Sequence, residues 1–293
     1  MKLSLPVRTP FSLHSVMHSH GWIQLAPFEA DPDGAGFRTI LCLDSGRVVE
    51  LHFAEEQGQV LVTPDTPLTE DELVEVHTRA AWMLGLEQDF SEFYALAAGE
   101  PKLQHVVERA RGRILRSPTL FEDVVKTILT TNTLWAATRR MNLNLVNQFG
   151  DPLPADPSRR AFPRPEALAA ASEEILRRET RLGYRAPYVL DLARRTASGE
   201  LDLEALKDAD LPTPELRKRL MAIKGVGAYA AANLLMLLGR YDFIPLDSWA
   251  LKMVSLEWFG GERVTPAQVE AAFEQWGKWK GLVYWMWDWS HQG

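Results

Sequence analysis

Residues 216–247 read LRKRLMAIKGVGAYAAANLLMLLGRYDFIPLD, and the punctuation of this stretch decides the fold. Leu216, Leu220 and Ile223 recur at helical spacing. Gly225-Val226-Gly227 then interrupts the helix, because glycine accepts positive φ and lets a second backbone come close. From Ala228 to Leu238 the chain is rich in Ala, Leu and Met, which favour helix. The stretch therefore predicts two helices around a glycine turn. The amides of Gly225, Gly227 and Ala228 fall at the start of the second helix, where N–H groups lack partners and an anion is favoured. Pro245 ends the following loop. Asp247 comes just after it, where a carboxylate also serves as N-cap for a helix from Ser248.

Working outward, 293 residues suffice for a sizeable core and two or three subdomains. No apolar run is long enough to span a membrane, and MKLSLPVRTPF lacks the apolar core of a secretory signal. The single cysteine, Cys42, excludes an intrachain disulfide and fits a reducing, cytoplasmic location, at the nucleoid if the source is bacterial. The net charge of −7 is unevenly spread. Residues 1–100 hold 5 Lys and Arg against 16 Asp and Glu, and the remainder holds 27 against 23. Basic residues cluster at Arg109 to Arg116, at Arg139-Arg140 and at Arg217-Lys218-Arg219. An acidic whole thus does not exclude a nucleic-acid partner, because affinity depends on local phosphate neutralisation.

Residues 1–65 read as β, with apolar runs at Trp22–Leu25, Phe37–Leu43, Val48–Phe53 and Val60–Val62 separated by Asp, Gly and Pro turns. An antiparallel layer of hairpins is expected, packed on helices. His14, His18 and His20 have the density of a metal cluster but no neighbouring carboxylate or thiolate, so polar residues on a strand or loop are the alternative. From Thr69 the period becomes helical, with Thr69 as N-cap and Glu72 at the capping-box position, running to about Leu84. Helices follow over 89–98 and 104–110. Ser117-Pro118 reads as the start of another, whose apolar face is Phe121, Val124, Val125, Ile128 and Leu129 and whose end is the polar patch Thr130–Thr133. Residues 151–165 are proline-rich and read as a connecting loop. Thr265-Pro266 opens a late helix, and the tail is dense in tryptophan.

The glycine turn with a downstream Ile244-Pro245-Leu246-Asp247 resembles the helix-hairpin-helix and following aspartate of the DNA glycosylase superfamily, of the 3-methyladenine DNA glycosylase II and 8-oxoguanine DNA glycosylase type. Leu182-Gly183-Tyr184-Arg185-Ala186 and the tail from Trp276 match further motifs of that family, although Gly277-Lys278 and Lys280 depart from its closing pattern. The likeness runs from about Gly112 to Trp287. It implies an α+β fold, with an N-terminal antiparallel sheet layer packed on a mostly helical module of two subdomains. The expected division is residues 1–85 for the sheet domain with its helix and 86–293 for the helical module, with the cleft between its two subdomains.

By the same resemblance the chain is a DNA glycosylase of base excision repair that flips a damaged base from duplex DNA. Asp247 is the expected catalytic carboxylate, which stabilises positive charge developing on the deoxyribose and orients a water. Gly225, Gly227, Ala228 and Lys224 would meet DNA at the hairpin. Asn132 would enter the hole left by the flipped nucleotide, or else cap a turn. Arg185 would reach a phosphate, or with Tyr184 brace the fold. Gly21, Trp22 and Tyr229 are candidates for the base pocket or the sugar. Members that also cleave the strand carry a lysine two residues after the hairpin's second glycine, where this chain has Tyr229. The expectation is therefore a monofunctional enzyme without lyase activity, acting on alkylated purines such as 3-methyladenine. Oxidised purines are the alternative substrate, and a non-catalytic lesion-binding module is the alternative class. No cofactor and no catalytic metal are expected, although hairpins of this type often hold a monovalent cation on backbone carbonyls. A monomer is the default oligomeric state.

Overall fold

The computed structural model describes residues 2–289. Five strands form one antiparallel sheet: β1 (Leu3–Pro6), β2 (Glu29–Ala30), β3 (Gly36–Cys42), β4 (Val48–Glu56) and β5 (Gln59–Pro64), in the order β1-β5-β4-β3-β2. Val49, Leu51 and Phe53 alternate inward along β4. Phe37 and Phe53 are directly opposite in the register, and their rings stack at 4.5 Å.

The helix Glu70–Leu84 begins as its sequence predicts. Thr69 accepts from the Glu72 amide at 3.3 Å, and the Glu72 carboxylate accepts from the Thr69 amide at 3.0 Å. Glu72 also takes Ser45 Oγ at 2.8 Å and Arg47 at 2.6 Å, so the same carboxylate ties the helix to the β3–β4 turn.

By contact, the chain forms two compact units that interleave in sequence. One holds residues 1–87 and 113–208, and the other holds 88–112 and 209–293. The sheet therefore shares a unit with the helices Leu120–Thr130, Trp135–Phe149 and Ala186–Ala197. The second unit is helical, with Ser91–Ala98, Thr213–Met221, Ala228–Leu237, Ser248–Trp258, Pro266–Phe273 and Lys280–Met286 as its main helices. Its interior is aromatic: Phe90, Phe93 and Tyr241 gather around Trp279, with Tyr241 stacked on it at 5.4 Å.

Four local expectations are corrected. Trp22–Leu25 is no strand; Gly21–Gln24 is a 3₁₀ turn, in which Trp22 and Ile23 are buried side by side rather than alternating across a sheet. His14 and His18 lie in and just after the short helix Leu13–Met17, and no cluster of metal-binding side chains occurs among the described residues. Thr119, not Ser117, caps Leu120–Thr130, because the Ser117 amide is held by Asp123 at 2.9 Å and its hydroxyl accepts from Lys126 at 3.2 Å. The expected loop over 151–165 holds a hairpin, β6 (Pro152–Leu153) and β7 (Asp156–Arg160). Leu153 and Ala161 pack on Ile40 of β3, and that burial orders a polar, proline-rich sequence.

Candidate active site

Residues 213–237 fold as a helical hairpin, Thr213–Met221 followed by Ala228–Leu237. Leu216, Leu220, Ile223 and Val226 face inward, while Lys224, Gly227, Ala228 and Tyr229 face solvent. The turn closes through the Val226 amide on the Ile223 carbonyl at 3.0 Å, with Gly225 at φ +87°. That left-handed value favours glycine. Gly227 is the N-cap of Ala228–Leu237, and a Cβ added there would meet nothing within 4 Å. The amides that open this ten-residue helix thus face open space with the positive end of the helix dipole behind them.

The loop after the hairpin is set by a close backbone approach. The Gly281 amide donates to the Tyr241 carbonyl at 2.6 Å, and a Cβ on Gly281 would collide with the carbonyl of Phe243. The chain then runs through buried Ile244 and Pro245 to Asp247. Asp247 caps Ser248–Trp258, its Oδ1 accepting from the Ala250 amide at 2.8 Å. The residue is exposed, and Oδ2 makes no hydrogen bond among the described residues. One oxygen is thus taken up by the cap and fixes the side chain of an exposed residue.

Two phenols share the field of this carboxylate. Partial burial pushes the Tyr229 hydroxyl above its ordinary range, and the Asp247 charge pushes it further. Burial, then Asp247, then Tyr229 raise Tyr284 in the same direction. Both therefore stand as neutral hydrogen-bonding groups. Trp249 completes the aromatic surround, edge-on to Tyr284 at 6.2 Å and to Trp289 at 5.5 Å, and it is 39% exposed. Sequence reasoning missed Tyr284 and Trp249. Nothing in their spacing separates them from the other aromatics of a tryptophan-rich tail.

The remaining candidates lie in the other unit. Trp22 is in the core, its indole N–H donating to Asp123 at 2.7 Å. Gly21 is covered by the ring of Trp135, with which any added Cβ would collide. Asn132 is exposed just beyond Leu120–Thr130, with a left-handed φ of +46°. Arg185 is buried beneath it, donating to the carbonyls of Thr131 and, at 3.3 Å, Asn132.

A family profile described as HhH-GPD superfamily base excision DNA repair protein matches residues 125–278, more than half of the chain. The chain belongs to the HhH-GPD superfamily. Among curated HhH-GPD relatives, it is 28% identical over 169 residues to the DNA-3-methyladenine glycosylase of Bacillus subtilis, covering 57% of this chain. It is 28% identical over 194 residues to DNA-3-methyladenine glycosylase 2 of Escherichia coli, covering 61% of this chain. The matched stretches span 55% and 63% of those relatives' lengths. In fold it is similar to the 3-methyladenine DNA-glycosylase of Archaeoglobus fulgidus, with a TM-score of 0.78 at 24% identity over 97% of each chain. It is also similar to the 8-oxoguanine glycosylase/lyase of Clostridium acetobutylicum, with a TM-score of 0.72 at 23% identity over 94% of this chain and 92% of that one. The likenesses bear out the α+β class with its N-terminal antiparallel sheet.

Proposed function

We propose that this HhH-GPD protein is a monofunctional DNA glycosylase that removes alkylated purines, 3-methyladenine among them, from duplex DNA. The observation that carries the reading is the placement of Asp247, held by the Ala250 amide at 2.8 Å and exposed, with its charge acting on the neutral phenols of Tyr229 and Tyr284.

Breaking the bond between C1′ and the base nitrogen leaves positive charge on the deoxyribose, and the bonding pair departs with the base. The other oxygen of Asp247 stabilises that charge and orients a water. The water oxygen bonds to C1′, its proton passes to the carboxylate, and an abasic site remains. A base methylated on a ring nitrogen is already cationic, so it leaves neutral and needs no added proton. An aromatic, uncharged wall of Tyr229, Tyr284 and Trp249 suits such a cation. The hairpin amides at Gly227 and Ala228 are suited to hold a phosphate beside the reacting sugar. Tyr229 occupies the position at which strand-cleaving relatives carry lysine, so water is the nucleophile.

The test is a panel of duplexes, each with one 3-methyladenine, 7-methylguanine, hypoxanthine, 8-oxoguanine or uracil. The reading expects product on the methylated purines, strand breaks only after alkali, and no protein–DNA adduct on borohydride reduction. Breaks without alkali, together with a trapped adduct, would overturn the monofunctional assignment. Excision of 8-oxoguanine alone would move the substrate to oxidised purines. Tight binding with no excision of any lesion would make the protein a lesion-binding module.

A further inference from the structure

Arg185 is 6% exposed, yet no carboxylate pairs with it among the described residues. Its guanidinium instead donates to the main-chain carbonyls of Thr131 and Asn132, and its Nε has no partner among the described residues. The Tyr184 ring lies 4.5 Å from the guanidinium carbon, and the Tyr184 hydroxyl donates to the same Thr131 carbonyl at 3.4 Å. Thr131 is the C-cap of Leu120–Thr130, so the cation sits at the negative end of that helix. A buried cation without a counter-charge is costly, and a brace alone needs only a neutral donor.

The braced segment is an unusual turn. Asn132 holds φ +46°, a left-handed value that asparagine accepts more readily than other side-chain-bearing residues. Two residues on, Leu134 is the N-cap of Trp135–Phe149 and is 81% exposed, more than any other large apolar side chain described. An exposed polar side chain and an exposed apolar one thus project from a turn whose carbonyls are clamped from beneath. That is the chemistry of a plug: an apolar wedge between stacked bases and a hydrogen-bonding group for the unpaired base.

We infer that Arg185 is a positioning residue, whose clamp on the Thr131 and Asn132 carbonyls holds the Asn132–Leu134 turn in the shape that fills the hole left by an extruded nucleotide. The inference rests on the proposed glycosylase reading, and it assigns Arg185 to the turn rather than to a phosphate or a base. The unpaired charge has a use in that state. The phosphodiesters of the distorted strand add full negative charges to the partial charge of the helix end.

The test uses the full chain and needs no excision. The probe is a duplex carrying a tetrahydrofuran abasic analogue opposite 2-aminopurine, compared with the intact duplex. Arg185→Met is expected to reduce the preference for the abasic duplex at least fivefold and to diminish the change in 2-aminopurine fluorescence. Affinity for the intact duplex should stay within twofold. Arg185→Lys, which keeps a charge and fewer donors, should fall between and serves alone if the methionine variant does not fold. In a double-mutant cycle, Arg185→Lys with Leu134→Ala should lose little more preference than Leu134→Ala alone, because both act through one turn.

Equal loss of affinity for both duplexes, with the salt slope reduced by about 1, would make Arg185 a phosphate contact and overturn the inference. Fully additive losses, or unchanged preference in both Arg185 variants, would overturn it too. Wild-type protein that fills the abasic site yet excises no base would contradict the proposed function and leave the clamp supported.

Discussion

Asp123 is fully buried and His20 half-buried in the unit that holds the sheet, and they pull stability in opposite directions with pH. Burial lowers His20 to about 4, with the backbone hydrogen bond to Leu115 opposing the shift. The native state therefore resists a proton that the unfolded chain accepts from about pH 6.5, and this contribution is lost as pH falls through 6.5 toward 4. Burial raises Asp123 to about 6, against the pull of its bonds from Trp22 and Ser117. Here the native state keeps a proton the unfolded chain releases, so stability grows as pH falls from 6 toward 3.8. Between pH 6 and 4 the two effects offset. Asp123→Asn is expected to show a steeper fall in urea-unfolding free energy from pH 6.5 to 4.5 than the wild type, and His20→Gln a rise. Parallel curves for all three proteins would contradict the pairing. Gly281 is the other position where a single atom decides geometry. Gly281→Ala forces the Tyr241–Phe243 backbone aside and with it the approach to Asp247. Single-turnover excision should fall at least tenfold while duplex affinity stays within threefold.

The elements legible in the sequence were those whose ends are written locally. Thr69 with Glu72 and Thr265 with Gln268 both form complete capping boxes, and Gly225 breaks the hairpin where its φ of +87° requires glycine. Thr265→Ala removes one such cap and should cost about 1 kcal/mol in denaturant unfolding. What could not be read was set by partners distant in sequence. The 3₁₀ turn Gly21–Gln24 depends on the burial of Trp22 against Asp123, 101 residues away. The N-cap at Thr119 is different: its partners are near, but which of two adjacent hydroxyls caps the helix is decided by Lys126 and Asp123 engaging Ser117 in the folded helix. In the candidate site, Asp247 and the hairpin stood out because a motif marks them, whereas Tyr284 joins them only through the fold of the tail. The hairpin also carries a charge prediction. Lys224 is exposed beside the glycine turn. Lys224→Ala should weaken lesion-bearing and intact duplexes alike and reduce the salt slope by about 1.

Across the whole chain, the interleaving of the two units limits what can be removed. Residues 1–87 and 113–208 form one unit, with the Trp22–Asp123 bond and the packing of Ile40 on Leu153 and Ala161 joining its two segments. The acid-rich N-terminal sequence is therefore structural material for the helices that carry Asn132 and Arg185. Its charge does not argue against DNA, because the exposed hairpin amides and Lys224 belong to the other unit. Membership of the HhH-GPD superfamily places the chain among base excision repair proteins, and the claim that Asp247 drives the chemistry is the centre of the account. The most direct measurement compares wild type and Asp247→Asn in single-turnover excision and equilibrium binding on one 7-methylguanine duplex. Asp247→Asn should lose at least a hundredfold in rate with affinity within threefold. Excision by the Asp247→Asn protein at the wild-type rate would contradict the claim.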